Sequence, residues 1–272
     1  TQEAMDNGYE YQSDFRHATG YNNQDLPGQV MSVHILAEDE YWDVEFHSWT
    51  SNANGGGFSY TRYPAGGQSS GLNLVLLVKN QDAWGNPIFE TALQNREINY
   101  DVINTSELQM VDLSHYDLLI TTGDNNVDEY IFNASDQIQD YVDNGGFAFV
   151  SLAGQGAEGD FAGLSSVNHG AAYNYITDEG FEHPLSHHIE SPMVGSNSAH
   201  NGFFINDEGW TVFSEGDGDY YGGPREMLPT AVYKERFFVH GLTVEYPGWN
   251  QYGVSELWAN NVLDWAGAGS DP

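Results

Sequence analysis

The sequence of 272 residues predicts an α/β fold, a doubly wound and mostly parallel sheet preceded by a small β-rich module. Three observations predict it. The run LNLVLLVKN at 72–80 is continuously apolar, as in a strand covered on both faces. From there to residue 152 the pattern reads strand, helix, strand, loop, strand, helix, strand, the grammar of a doubly wound sheet. Ahead of it, residues 31–63 keep a two-residue hydrophobic period, the mark of strands buried on one side only.

The elements follow in chain order. Val33 and Ile35, then Trp42, Val44 and Phe46, then Phe58 and Tyr60 alternate with polar neighbours. SNANGGG at 51–57 is a turn cluster, so 41–50 is expected to pair with 57–63 as a hairpin. PAGGQSSG at 64–71 is a flexible linker and divides the chain into 1–68 and 69–272. Beyond the first apolar strand, Ile88, Phe89, Ala92 and Leu93 have helical spacing. YDVIN at 100–104 and YDLLITTGD at 116–124 read as the second and third strands. NASDQIQDYVDNGG at 133–146 is an amphipathic helix with Asn133 or Ser135 as N-cap and Gly145 just past its end. FAFVSL at 147–152 is the fourth strand. GWTVFSEG and TAVYKERFFVHGLTVEY read as further strands, and VSELWANNVLDWAG at 254–267 as a closing helix with Leu257, Trp258, Val262 and Trp265 on one face.

Composition bounds the partners. Seven Lys plus Arg stand against 40 Asp plus Glu, a net charge of −33. A nucleic-acid partner is excluded, because phosphates need a cationic footprint. No run of 18 apolar residues exists, so no membrane insertion is expected. Such charge suits surroundings rich in salt or divalent cations, which points to the cell exterior or cell surface. Thr1 fits a mature terminus left by cleavage. Cysteine is absent, which rules out disulfides, thiolate metal sites and a cysteine nucleophile within these residues.

The ordered series LVLLVKN, FETALQNREINYDVINTSEL, DLSHYDLLITTGD and SDQIQDYVDNGGFAFVSL resembles the class I glutamine amidotransferase-like superfamily, especially its ThuA-like and non-enzymatic secreted branches. FEHPLSHHI resembles a His-Pro element of such domains, and RFFVHGLTVEY with LWANNVLDWA their last strand and helix. The resemblance spans roughly 72–268. It implies a flavodoxin-like sandwich and leaves function open. Residues 31–62 resemble a β-module of secreted bacterial surface proteins, which implies export.

In these amidotransferases the bend after the fourth strand reads G-x-C-x-G. The best overlay puts Val150 on the first glycine, Leu152 on the nucleophile and Gly154 on the second glycine. A slide by one residue brings Ser151 to the bend, flanked by Phe149 and Ala153 instead of glycines. The family's His-Pro-Glu falls on His240, Gly241 and Leu242. Glutamine hydrolysis is therefore not expected, and Ser151 and His240 are the remaining catalytic candidates.

Other constellations are candidates for binding. His183, His187, His188 and His200, with His169 near in sequence, are candidate ligands for zinc, copper or nickel. The spacing of His183 and His187 would set both on one helix face. Asp124, Glu215, Asp217 and Asp219 are candidate calcium ligands. Tyr220, Tyr221 and Trp249 lie in polar loops and are candidate contacts for a glycan or a second copy of the chain; Trp42, Trp49, Trp84 and Trp210 also neighbour polar residues. The expectation is a non-catalytic extracellular binding or assembly protein, cation-assisted, with a filament or surface-layer role included. The alternative is a ThuA-like sugar-modifying enzyme or metal-dependent hydrolase using His183, His187, His188 or His240 with Asp124 or Glu245.

Overall fold

The computed structural model describes residues 26–27, 30–35, 40–49, 57–64, 71–123, 128–154, 158–187, 189–217, 227–246 and 254–268. Its contacts divide the chain into two units, Thr1–Ser69 and Ser70–Pro272.

The first unit holds an antiparallel sheet of β1 (Val30–Ile35), β2 (Glu40–Trp49) and β3 (Phe58–Pro64), in that order. The hairpin has the alternation-predicted partners, with Phe46 opposite Tyr60 and Trp49 opposite Phe58 across a register shift. Leu26, Val44 and Phe46 form its small core, with Met31 and Trp49 packed against them. Trp49, Phe58 and Tyr60 make a row of near-parallel rings, their centroids 5.1 and 5.8 Å apart in turn.

The second unit is built on a ten-stranded sheet. Its first half comprises β4 (Leu74–Val78), α1 (Ile88–Asn95), β5 (Asn99–Ile103), β6 (Leu118–Thr121), α2 (Asp128–Asn133), α3 (Ser135–Asp143) and β7 (Phe147–Ser151). The second half comprises β8 (Gly159–Phe161), β9 (Leu164–Ile176), α4 (Asp178–Phe181), β10 (Met193–Ile205), β11 (Thr211–Gly216), β12 (Leu228–Lys234), β13 (Phe237–His240) and α5 (Val254–Ala268). Strands run in the order β10-β9-β11-β12-β13-β7-β6-β4-β5, with β8 on β9. From β13 to β5 every pairing is parallel. From β13 to β10 every pairing is antiparallel, so a wing extends the doubly wound core.

The apolar runs occupy the centre because β4, β6, β7 and β13 are covered on both faces. One cluster sets Val75, Leu77, Phe149 and Phe238 against Phe89 of α1 and Trp258 of α5. The other sets Leu76, Val150 and Val239 against Ile131 of α2 and Ile138 and Tyr141 of α3. The expected N-cap of the second helix is corrected. Asn133 ends α2, Ala134 precedes α3, and Ser135 Oγ accepts the Ala162 N–H at 2.8 Å instead.

Candidate functional site

The sheet sets the place of the site. Chain order reverses between β4 and β6, because β4 leads through α1 to β5 on one side and then on to β6 on the other. Open α/β sheets take their ligands in the crevice beyond the strand ends at such a reversal. Here the turn after β4 contributes Trp84, the segment after β6 contributes Thr122 and Gly123, and the ends of β7 and β13 contribute Ser151 and His240.

Ser151 and His240 are register partners on parallel strands, so their side chains leave the same face. Two residues back, Phe149 and Phe238 stack at 5.4 Å on that face. Leu152 points the other way into the core beneath α2 and α3 and is completely buried. At the place where the resemblance implies a nucleophile, the structure therefore has a core hydrocarbon. Thr121 Oγ1 accepts the Ser151 N–H at 2.9 Å and fixes the strand end.

Ser151 is sealed in. A Cβ built on Gly123 would lie 3.1 Å from Ser151 Oγ and 3.1 Å from two carbons of the Trp84 ring, so the glycine is closely sandwiched between them. Trp84 itself has a left-handed backbone with φ of +50°, a strained state for a side-chain-bearing residue. Its ring lies edge-on to His200 at 5.7 Å and to Tyr246 at 6.2 Å. The crevice beside Gly123 is thus occupied by the protein's own indole.

Burial disfavours charge at this edge. Glu245 is 1% exposed, and its Oε1 accepts the Gly123 N–H at 3.1 Å. Burial pushes its carboxyl up to about 7. His240 donates from Nδ1 to the Leu242 carbonyl at 3.1 Å, which leaves a bare lone pair on Nε2. Burial pulls this imidazole down to about 3, against the effect of the Leu242 bond. His200 donates from Nδ1 to the Ala153 carbonyl at 2.6 Å, and burial lowers it too. Ser151 Oγ, Thr122 Oγ1, His240 Nε2 and Glu245 Oε2 are buried with no hydrogen-bond partner among the described residues. Ser151 is not bonded to His240, so the arrangement lacks the paired base that activates a serine.

Gly241, next to His240, is locked by packing. Its carbonyl accepts the His200 N–H and its N–H donates to the Thr230 carbonyl, both at 2.8 Å. A Cβ there would stand 2.2 Å from the Asn201 carbonyl oxygen. Gly241→Ala is expected to destabilise the chain by about 1–3 kcal/mol through overpacking. Urea unfolding checks it, and an unchanged midpoint would contradict the packing described.

The other predicted site residues do not assemble. The proposed helix face for His183 and His187 is corrected. Pro184–Ser186 is one 3-10 turn, with buried His183 before it and exposed His187 after it. His183 Nδ1 accepts the Leu185 N–H at 3.2 Å, and its ring sits among Phe213, Tyr233, Phe238 and Trp265. Burial lowers it to about 4. His169 is buried and bonds the Gly216 carbonyl at 3.1 Å. His188 lies outside the described residues. No three His, Asp or Glu side chains form a metal-binding group among the described residues. Of the calcium candidates, Asp124 and Asp219 lie outside the described residues. Glu215 is half-buried in β11, and Asp217 Oδ1 accepts the Ala172 N–H at 3.3 Å. Tyr220, Tyr221 and Trp249 also lie outside them. Trp42, Trp49 and Trp84 are half-buried. Trp210 is buried, donates to the Ala162 carbonyl at 3.0 Å and carries Lys234 over its ring.

Sequence reasoning missed Thr122 and Gly123, although TTG directly after a buried strand at a reversal of order was the available signal. It named Glu245 and Trp84 without placing them together.

No protein-family model and no curated protein sequence matches the chain. Solved structures do. A protein named for GMP synthase, from Thermoplasma acidophilum, is 12% identical, with 72% of this chain and 95% of that chain covered and a TM-score of 0.52. A glutamine amidotransferase from Methylobacillus flagellatus is 10% identical, with 73% and 94% covered and a TM-score of 0.49. Only the first is close enough to bear on the fold. The chain therefore shares the α/β fold of that protein, at an identity that speaks for architecture and not for activity.

Proposed function

We propose that this chain is a non-catalytic binding protein of the cell exterior, carried on an amidotransferase-like fold. One observation supports this above the rest: the bend after β7 holds buried Leu152, and Ser151 beside it is covered by Gly123 and Trp84 with no base bonded to it. The net charge of −33 supports a setting of high salt or abundant divalent cations, where calcium would let acidic surfaces approach. Contact with a glycan or a second copy is supported by the ring row of the first unit, where Phe58 and Tyr60 are 55% and 48% exposed.

A hydrolase is the second reading, favoured by the unpartnered Ser151, His240 and Glu245 at one sheet edge. Incubation of purified protein with glutamine and with a panel of activated esters separates the two. The proposed function expects no release above the blank. Turnover that disappears in Ser151→Ala would overturn it in favour of the hydrolase.

A further inference from the structure

Glu245 joins three segments that are far apart in sequence. Its Oε1 accepts the Gly123 N–H of the segment after β6. Its backbone carbonyl accepts from Asn86 Nδ2, at 2.9 Å, in the turn that carries Trp84. Its chain neighbour Tyr246 packs against the Trp84 ring. The second carboxyl oxygen has no partner among the described residues and is fully enclosed.

We infer that the Glu245 carboxyl is a proton-operated latch on the sheet edge: neutral, it clamps the Gly123 segment and the Trp84 turn over Ser151; ionised, it lets them part. The physical reason is the asymmetry of the site. A neutral carboxyl enclosed with one orphan oxygen costs about one unmade hydrogen bond, whereas a carboxylate enclosed there costs far more and gains strongly from water. Release of the two segments is the shortest way to bring water to it, and it uncovers Ser151, Thr122 and His240.

Among the described residues the surrounding charges do not supply an alternative. The titratable groups on the described elements packed here are His240 at the end of β13, His200 on β10 and Tyr246 beside the carboxyl. Lys79 flanks the Trp84 turn and pairs with both Asp82 and Glu90. The upward shift of Glu245 has burial as its cause, opposed by N–H bonds, with no charged side chain contributing.

The sign follows from linkage. Opened, Glu245 titrates near its ordinary 4.5; closed, near 7. Opening therefore releases a proton between those values, and its equilibrium constant rises about tenfold per pH unit there and levels off above. His240 works in the opposite sense if exposed, so the variant Glu245→Gln, which cannot ionise, is the reference.

Hydrogen exchange of the Gly123 and Asn86 amides in the whole chain, corrected for intrinsic rate, reads the opening. The ratio of opening constants, parent over E245Q, is expected to rise about tenfold per pH unit from 4.5 to 7 and then stay constant. A ratio independent of pH overturns the latch. If E245Q does not fold, a carbon-13 titration of the Glu245 carboxyl in the parent decides. A midpoint near neutrality coincident with faster exchange at Gly123 supports the latch, and either one without the other overturns it.

Discussion

Trp258→Ala is expected to cost about 3–5 kcal/mol of unfolding free energy, the range for removal of a large aromatic from a packed core. Trp258 is completely buried on the inner face of α5. Its ring lies 5.7 Å from Phe213, 6.1 Å from Phe238 and 6.4 Å from Phe149, so one side chain joins the helix to the parallel core and the antiparallel wing. Its Nε1 has no partner among the described residues. Trp258→Phe should therefore cost less than half as much, because it keeps most of the ring and removes an unsatisfied donor. Urea midpoints at unchanged slope measure both. A Trp258→Ala loss below about 1 kcal/mol would show that α5 does not anchor the sheet.

The second large effect is acid lability. His183 and His240 are held neutral by burial at about 4 and about 3, below their ordinary 6.5. Each takes up a proton on unfolding. Their contribution is complete above pH 6.5 and is lost as pH falls towards the folded values. Glu245 has the opposite sign: its contribution is complete below 4.5 and is lost as pH rises to about 7. Between pH 4.5 and 6.5 the unfolded chain thus binds two more protons at the histidines and one fewer at the carboxyl. For these three groups the net of one proton removes about 3 kcal/mol on acidification across that interval, and His200, also lowered by burial, acts in the same sense as the other histidines. Comparison with His240→Asn isolates one histidine. The stability of the parent relative to H240N is expected to fall by about 1.4 kcal/mol per pH unit from 6.5 towards 4. A constant difference would mean that His240 is free to take its proton in the folded chain.

Much of the fold was legible in the bare string of residues. The hairpin of the first unit, the strands β4 to β7, the helices α1 and α3 and the closing α5 each announce themselves by a period within a few consecutive residues. The wing did not. β9, LSSVNHGAAYNYI, mixes buried Ser166, His169 and Asn174 with exposed Tyr173 and Tyr175, so neither period survives along it. The candidate site was legible only in part, through Leu152 at the bend and His240 near the strand end. The seal over Ser151 depends on Trp84, whose unusual backbone no local pattern foretold.

By itself the sequence determined the parallel core, the absence of a cysteine nucleophile in these residues and a net charge of −33. Only the tertiary structure decided which polar groups lose their water: that His183 lies among four aromatic rings, that Trp84 covers Ser151, and that Glu245 meets an N–H 122 residues away. Hydrophobic periods are local and need no partner to be read. Desolvation is set by neighbours brought from distant parts of the chain, and it is desolvation that fixes the charge state of this sheet edge.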